Sequence, residues 1–149
     1  MRRLLLATLF LWAAMAVVQP ASAEVRDFTD FSVDLPSGWT IEREGITVAF
    51  IAEDKSATMQ VTVEPIARIS KEGISAKELA EAYADELKGS RPEMEENDPN
   101  YYSFTFLSPE GQESEASIVV SGRRFYLITI SGRNKDLAGM VESILLSIM

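Results

Sequence analysis

The sequence predicts an α+β fold in which an antiparallel sheet of six to seven strands is sandwiched by two or more helices. Three observations lead to this prediction. Short segments that alternate apolar and polar residues occur in groups, whereas two segments repeat apolar residues every three or four positions. Turn residues separate these elements. The predicted order is four strands, a helix, three strands and a closing helix.

The first strands are predicted to form a meander with one buried face. The alternating segment 31–35 ends at Pro36-Ser37-Gly38, where proline sets φ for a turn and glycine allows the chain to leave it. Trp39 and Ile41 restart the alternation, and Glu44-Gly45 reverses the chain. Two further strands are predicted at 47–52 and 58–64.

The spacing of apolar residues changes from every second position to every third or fourth position at the first predicted helix. Ser75-Ala76-Lys77-Glu78 has the pattern of a capping box, in which the serine hydroxyl and the glutamate carboxylate satisfy each other's backbone amides. Gly89 stands at the position of a C′ residue after the helix. The apolar stripe consists of Leu79, Ala82, Tyr83 and Leu87.

The second half of the chain is predicted to hold three strands and the closing helix. Residues 91–100 are an acidic loop bracketed by prolines, after which Tyr102, Phe104 and Phe106 alternate along a strand. Strands 115–121 and 125–131 are joined by a hairpin at Gly122-Arg123. The apolar positions of the closing helix are Leu137, Met140, Val141, Ile144 and Ile148.

The composition excludes several kinds of chemistry. The 149 residues include 14 Lys plus Arg, 23 Asp plus Glu, no Cys and no His, for a net charge of −9. Disulfides, thiolate or imidazole metal sites and catalytic His or Cys are therefore impossible. An acidic chain is also a poor candidate for nucleic-acid binding, which needs a basic face. We predict no cofactor and no metal.

The N-terminus has the layout of a secretory signal peptide. Arg2-Arg3 precedes an apolar run at 4–18, and Ala21-Ser22-Ala23 ends the segment. The run is shorter than the roughly 20 residues that span a bilayer. We expect cleavage after Ala23 and export by the general secretion route, with an uncleaved anchor as the alternative. Without cysteine, a lipoprotein anchor is excluded.

The predicted mature chain is one domain, residues 24–149, without repeats or a long linker. It carries 12 basic and 23 acidic side chains, a net charge of −11. We predict that it is located in the periplasm and meets a membrane only during export.

The ordered set of motifs resembles the PsbP-like family, which includes the extrinsic photosystem II protein and the DcrB-type periplasmic proteins. The residues that carry the resemblance are Pro36, Gly38 and Trp39, the cap Ser75/Glu78, the hairpin 121–123 and the helix 136–148. The resemblance implies an α-β-α sandwich and a binding or assembly role rather than an enzymatic one. The photosystem protein's cation-related histidines have no counterpart here.

Two aromatic positions have both a structural and a functional interpretation. Trp39 follows a turn at a strand start, which favours a core anchor over a stacking platform in a ligand cleft. In the pair Tyr101-Tyr102, Tyr102 shares parity with Phe104. Tyr101 is therefore predicted to be the exposed ring and a candidate for an interaction surface.

Two charged segments also have both a structural and a functional interpretation. The carboxylates Glu93, Glu95, Glu96 and Asp98 offer oxygen ligands for Ca²⁺, although they lack the regular spacing of a calcium loop, and a solvated loop is favoured. Arg123 and Arg124 could hold a carboxylate or phosphate, and two arginines that keep a turn hydrated are favoured instead.

The sequence thus predicts an exported, non-enzymatic factor that binds an unidentified protein partner. Its predicted surface lies near Tyr101 and the hairpin residues Arg123 and Arg124. The alternative is a small-ligand or divalent-cation carrier with a pocket between helix 75–88 and the sheet. In that alternative the carboxylates of 93–98 lie at the mouth of the pocket.

Overall fold

Residues 24–149 are described by a computed structural model, and the predicted signal peptide, residues 1–23, lies outside the described residues. The helices are α1 (Ala76–Leu87) and α2 (Leu137–Ile148), and a 3-10 turn spans Ile66–Arg68. The strands are β1 (Glu24–Asp27), β2 (Ser32–Leu35), β3 (Thr40–Glu44), β4 (Thr47–Ile51), β5 (Ala57–Pro65), β6 (Glu93–Met94), β7 (Tyr101–Leu107), β8 (Glu113–Ser121) and β9 (Arg124–Gly132).

The main sheet has seven antiparallel strands in the order β3-β4-β5-β9-β8-β7-β6. Its centre is the β5–β9 ladder, which runs from Ala57 opposite Gly132 to Pro65 opposite Arg124. The predicted hairpin at Gly122-Arg123 joins β8 to β9, and Gly122 takes the positive φ of 61° that this short turn needs. The predicted α+β class and strand count are confirmed.

The sheet is covered by different elements on its two faces. Helix α1 packs on β7 and β8, with Leu79 and Ala84 against the side of the sheet that carries Tyr102 and Phe104. Helix α2 and the β1–β2 hairpin cover the other face. That second core includes Phe50, Met59, Val61, Met140 and Ile144, each at most 1% exposed.

The start of the chain corrects one prediction. The segment predicted as the first strand of a meander is β2, and it pairs with β1 in a separate two-stranded hairpin. The amides of Ser32 and Asp34 donate to the hydroxyls of Ser147 and Ser143 on α2. Strand β2 therefore lies between β1 and a helix, not beside β3.

The N-terminus of the first helix has the predicted capping box, but its C-terminus ends in a different way from that predicted. The Ser75 hydroxyl accepts from the Glu78 amide at 3.2 Å, and the Glu78 carboxylate accepts from the Ser75 amide at 2.9 Å. Lys88, not Gly89, takes the left-handed conformation, with φ of 54°. Gly89 is needed for a different reason: a Cβ there would lie 2.7 Å from the Phe104 ring.

Candidate functional site

An open groove of about 450 Å³ lies between the C-terminal end of α1 and the sheet. Helix α1 supplies one wall, the turn after β7 supplies the other, and β5 and β9 supply the floor. Its lining residues are Thr58, Gln60, Tyr83, Glu86, Leu87, Phe106, Ser108, Pro109, Glu110, Leu127, Thr129 and Ser131. We call this site the α1 groove.

The α1 groove exists because α1 is narrower than the sheet face on which it lies. The helix packs on β7, β8 and the first residues of β9, so it leaves the same face of the rest of β9 and of β5, β4 and β3 uncovered. Register places Thr129 beside Gln60, which lies opposite Ala49, and Ala49 lies opposite Glu42. The uncovered half-face is therefore mostly polar, and one such row runs from β9 to the edge strand β3.

Two carboxylates and an apolar patch give the α1 groove its chemical character. Glu86 and Glu110 lie at its rim and are exposed. Leu87, Phe106 and Leu127 are partly buried and line it with apolar surface. Such a lining favours a ligand that combines positive charge with apolar stems.

Tyr83 lines the α1 groove close to acidic side chains. Its ring packs against Phe125, with ring centroids 6.2 Å apart. Burial raises the pKa of the Tyr83 hydroxyl, and the carboxylates of Glu64 and Glu86 raise it further. The raised pKa keeps the phenol neutral and so adds no further negative charge to the groove.

A second concavity continues the same face toward the sheet edge. It is lined by Glu42, Arg43, Glu44, Thr47, Ala49 and Gln60. Gln60 is common to both concavities and is exposed. The α1 groove and this second concavity thus form one continuous surface across the strands.

The prediction that Tyr101 is an exposed aromatic is wrong. Tyr101 is 8% exposed and belongs to the core under α2, while Tyr102 is 7% exposed and packs under α1. Both rings are buried because this part of the sheet is covered on both faces. Burial raises the pKa of the Tyr101 hydroxyl, against a hydrogen bond with Ser117 that lowers it.

The hairpin arginines have different surroundings. Arg124 forms an ion pair with Asp30, in the loop between β1 and β2. The Tyr126 hydroxyl donates to the Asp30 carbonyl at 2.9 Å, so β9 holds this loop at two points. Arg123 is exposed at the tip of the hairpin. The two arginines therefore do not form a joint anion-binding pair, and Arg123 alone remains a candidate for surface contact.

The four carboxylates of the acidic loop do not converge. The Asp98 carboxylate accepts from the Asn100 amide at 2.9 Å, and Glu95 accepts a hydrogen bond from the Ser103 hydroxyl. Glu93 and Glu95 line a concavity beside Glu115, on the sheet face opposite to the α1 groove. Among residues 24–149, no three or more carboxylates are arranged to hold a metal ion.

The alternative pocket is therefore present in part. A groove does lie between helix α1 and the sheet, as predicted, but the acidic groups at its mouth are Glu86 and Glu110. The loop prediction also missed β6, which pairs Glu93 with Ser103 and Met94 with Tyr102. This pairing turns the loop carboxylates away from the α1 groove.

The structural motif around Trp39 is confirmed as a core anchor. Trp39 is 8% exposed, and its indole nitrogen donates to the Asp136 carboxylate at 3.3 Å. This bond joins the start of β3 to the N-cap of α2. Gly38 adopts φ of 86°, and Pro36 accepts the Trp39 amide at 3.4 Å, as the turn requires.

The groove floor was missed by the sequence reasoning. Thr58, Gln60, Thr129 and Ser131 are the polar positions of alternating strands, which ordinarily indicates a solvated face. Their hydroxyl and amide groups, in place of the usual charged residues, were the available sequence clue.

No helix among residues 24–149 is long and apolar enough to cross a bilayer.

The arrangement defines a class: an antiparallel α-β-α sandwich with one uncovered half-face. The solution structure of cyanobacterial PsbP (CyanoP) from Synechocystis sp. PCC 6803 is similar to it, with a TM-score of 0.56 and 14% identity. That match covers 87% of this chain and 93% of the other. The chain therefore has the PsbP-like fold.

A second solved structure, from Bacteroides thetaiotaomicron VPI-5482, matches with a TM-score of 0.51 and 14% identity. The match covers 87% of this chain and 48% of that protein, so this chain spans about half its length. No family model matches the sequence, and no curated protein does. At this level of identity the likeness establishes the fold alone.

Proposed function

We propose that the protein is an exported, non-enzymatic PsbP-like factor that binds other proteins or assists their assembly in the cell envelope. The observation that carries the proposal is the α1 groove and its continuation across the uncovered half of the sheet. A continuous, open surface of this kind suits a protein segment. Small-molecule sites, by contrast, enclose most of their ligand.

A non-enzymatic role is supported by the residue content. With no His and no Cys, the chain lacks the side chains that most often act as a general base or as a thiol nucleophile. The groove offers hydroxyls, an amide and two carboxylates. These are groups that position a partner by hydrogen bonds and charge.

Export is supported by the N-terminal pattern alone, and its test is direct. The full-length chain, produced in a bacterial host, is separated into cytoplasmic, periplasmic and membrane fractions. We expect a periplasmic product whose measured mass equals that of a chain beginning at Glu24. A chain that keeps residues 1–23 in the membrane fraction would indicate the uncleaved anchor instead.

Binding is tested by site-specific photo-crosslinking in intact cells. A photoreactive residue at Gln60, at the junction of the two concavities, should give discrete cross-linked products with envelope proteins. The same residue at Lys77, exposed on α1 outside the groove, is the matched control. Identical product patterns from the two positions, or none from either, would contradict the proposal.

A further inference from the structure

We infer that the α1 groove binds an extended, basic segment of a partner protein, in which lysine or arginine side chains alternate with apolar ones. This inference rests on the proposed binding function and names the chemistry of its partner. The surface that carries it is the α1 groove together with the second concavity beyond Gln60.

Charge complementarity selects a basic occupant. Glu86 on α1 and Glu110 after β7 face the groove from opposite walls, and no lysine or arginine of residues 24–149 lines it. The same residues carry a net charge of −11, so a basic partner is attracted from a distance. Glu42 and Glu44 continue the acidic character at the far end, beside one arginine, Arg43.

The apolar wall selects side chains with long stems. Leu87, Phe106 and Leu127 line the same groove as the two rim carboxylates, and Tyr83 adds an aromatic ring. Lysine and arginine bury their methylene stems on such surfaces while the charged head reaches a carboxylate. A tyrosine ring also attracts a cation placed over its face. A short amine without a stem would gain only the charge contacts.

The length of the surface selects an extended segment over a single small ligand. It crosses from β9 to β3, three strand spacings of about 4.8 Å each. An extended chain rises about 3.3 Å per residue, so about four to five residues cross the uncovered half-face. Alternate side chains of that segment would point at the sheet.

The test uses the secreted protein and a capped, fluorescein-labelled hexapeptide of alternating lysine and leucine. Fluorescence anisotropy gives its Kd, and two-dimensional NMR of the ¹⁵N-labelled protein locates the site. We expect saturable binding, weakened by salt, with shifts centred on the amides of Thr58, Gln60 and Thr129. A peptide with glutamate in place of lysine should not bind.

The double variant Glu86→Gln/Glu110→Gln should weaken binding about tenfold, since each exposed ion pair contributes about a threefold change. Glu72→Gln/Glu81→Gln is the matched control, because it removes the same charge from exposed positions that do not line the groove. Gln60→Lys should weaken binding of the lysine peptide, because it adds a positive charge to the groove. Equal weakening by both double variants would overturn the inference, because it would reflect net charge alone.

Two further outcomes would also overturn it. Competition by lysine amide at the same concentration as the peptide would indicate a site for small cations. If the lysine peptide does not bind, the inference is overturned. If cross-linking from Gln60 nevertheless captures a partner, the proposed function stands without this inference. Peptide binding without any envelope cross-link would support the chemistry named here and contradict the proposed function.

Discussion

The hydroxyl of Ser143 accepts a hydrogen bond from the backbone amide of Asp34 at 2.9 Å, which joins α2 to the free edge of β2. One turn further on, Ser147 accepts from Ser32 at 3.0 Å and donates to its carbonyl at 3.3 Å. Two serines at i and i+4 lie on the same side of a helix. The helix thereby satisfies a strand edge that would otherwise be open to pairing with another chain.

Ser143→Ala/Ser147→Ala removes this contact. We expect the free energy of unfolding to fall by about 1–2 kcal/mol, because each lost hydrogen bond contributes about 0.5–1.5 kcal/mol and water replaces part of it. Urea denaturation measures the change. Ser37→Ala, at an exposed turn position, is the control and should be neutral. Equal stability of the double variant and the control would show that the edge contact is not stabilising.

Arg124→Ala and Arg123→Ala compare what the two hairpin arginines contribute to stability. Arg124→Ala leaves the Asp30 carboxylate, whose side chain is only 24% exposed, without its partner. We expect a loss of about 1–2 kcal/mol, between the values for exposed and buried ion pairs. Arg123→Ala at the exposed tip should change stability by less than about 0.5 kcal/mol. A double-mutant cycle with Asp30→Ala that gives no coupling energy would refute the ion pair.

Gly89→Ala and Gly139→Ala are expected to act in opposite directions. A Cβ at Gly89 would lie 2.7 Å from both the Phe104 ring and the Thr105 carbonyl, whereas nothing lies within 4 Å of one at Gly139. We expect a loss of about 1–3 kcal/mol at Gly89. At Gly139, inside α2, we expect a gain of about 0.5–1 kcal/mol. Thermal unfolding compares the two, and a stabilised Gly89 variant would contradict the packing.

Glu115→Gln should stabilise the protein in a pH-dependent way. Burial, and then the Glu95 carboxylate, raise the folded-state pKa of Glu115 above its unfolded value. The unfolded chain therefore ionises first as pH rises, and stability falls through the interval between the two pKa values. Replacement should raise the Tm at neutral pH and have no effect in acid below both pKa values.

Glu113→Gln, two residues away on the same face, controls for the change in net charge in that experiment. Its Tm difference from the unmodified protein is subtracted at each pH. A gain for Glu115→Gln that is the same at acid and neutral pH would show that the carboxyl group has no folded-state pKa shift.

Patterns within single elements were sufficient to predict most of the fold. The capping box at Ser75 and Glu78 formed as expected because both partners lie within one turn of chain. Strand β1 was missed because its side chains are all exposed, so no alternation marks it. Gly89 was assigned a helix-end conformation, although its real constraint comes from Phe104, a residue on another element.

The candidate site was harder to predict because it depends on which half of the sheet a helix covers. Alternation correctly placed Tyr102 with Phe104, but it could not show that the opposite face is covered at Tyr101 too. The α1 groove likewise joins Glu86, Glu110 and Gln60 from three distant segments. No local pattern links them.

The central β5–β9 ladder also dictates when the protein can fold. Strand β9 follows α1 and three further strands in the chain, yet it supplies the only partner for the inner edge of β5 among the described residues. A chain interrupted before Arg124 would leave β3, β4 and β5 as a meander with an open edge. Because such long-range pairing closes late, folding should be slow, and the sheet cannot be completed until the segment from Arg124 onward is available.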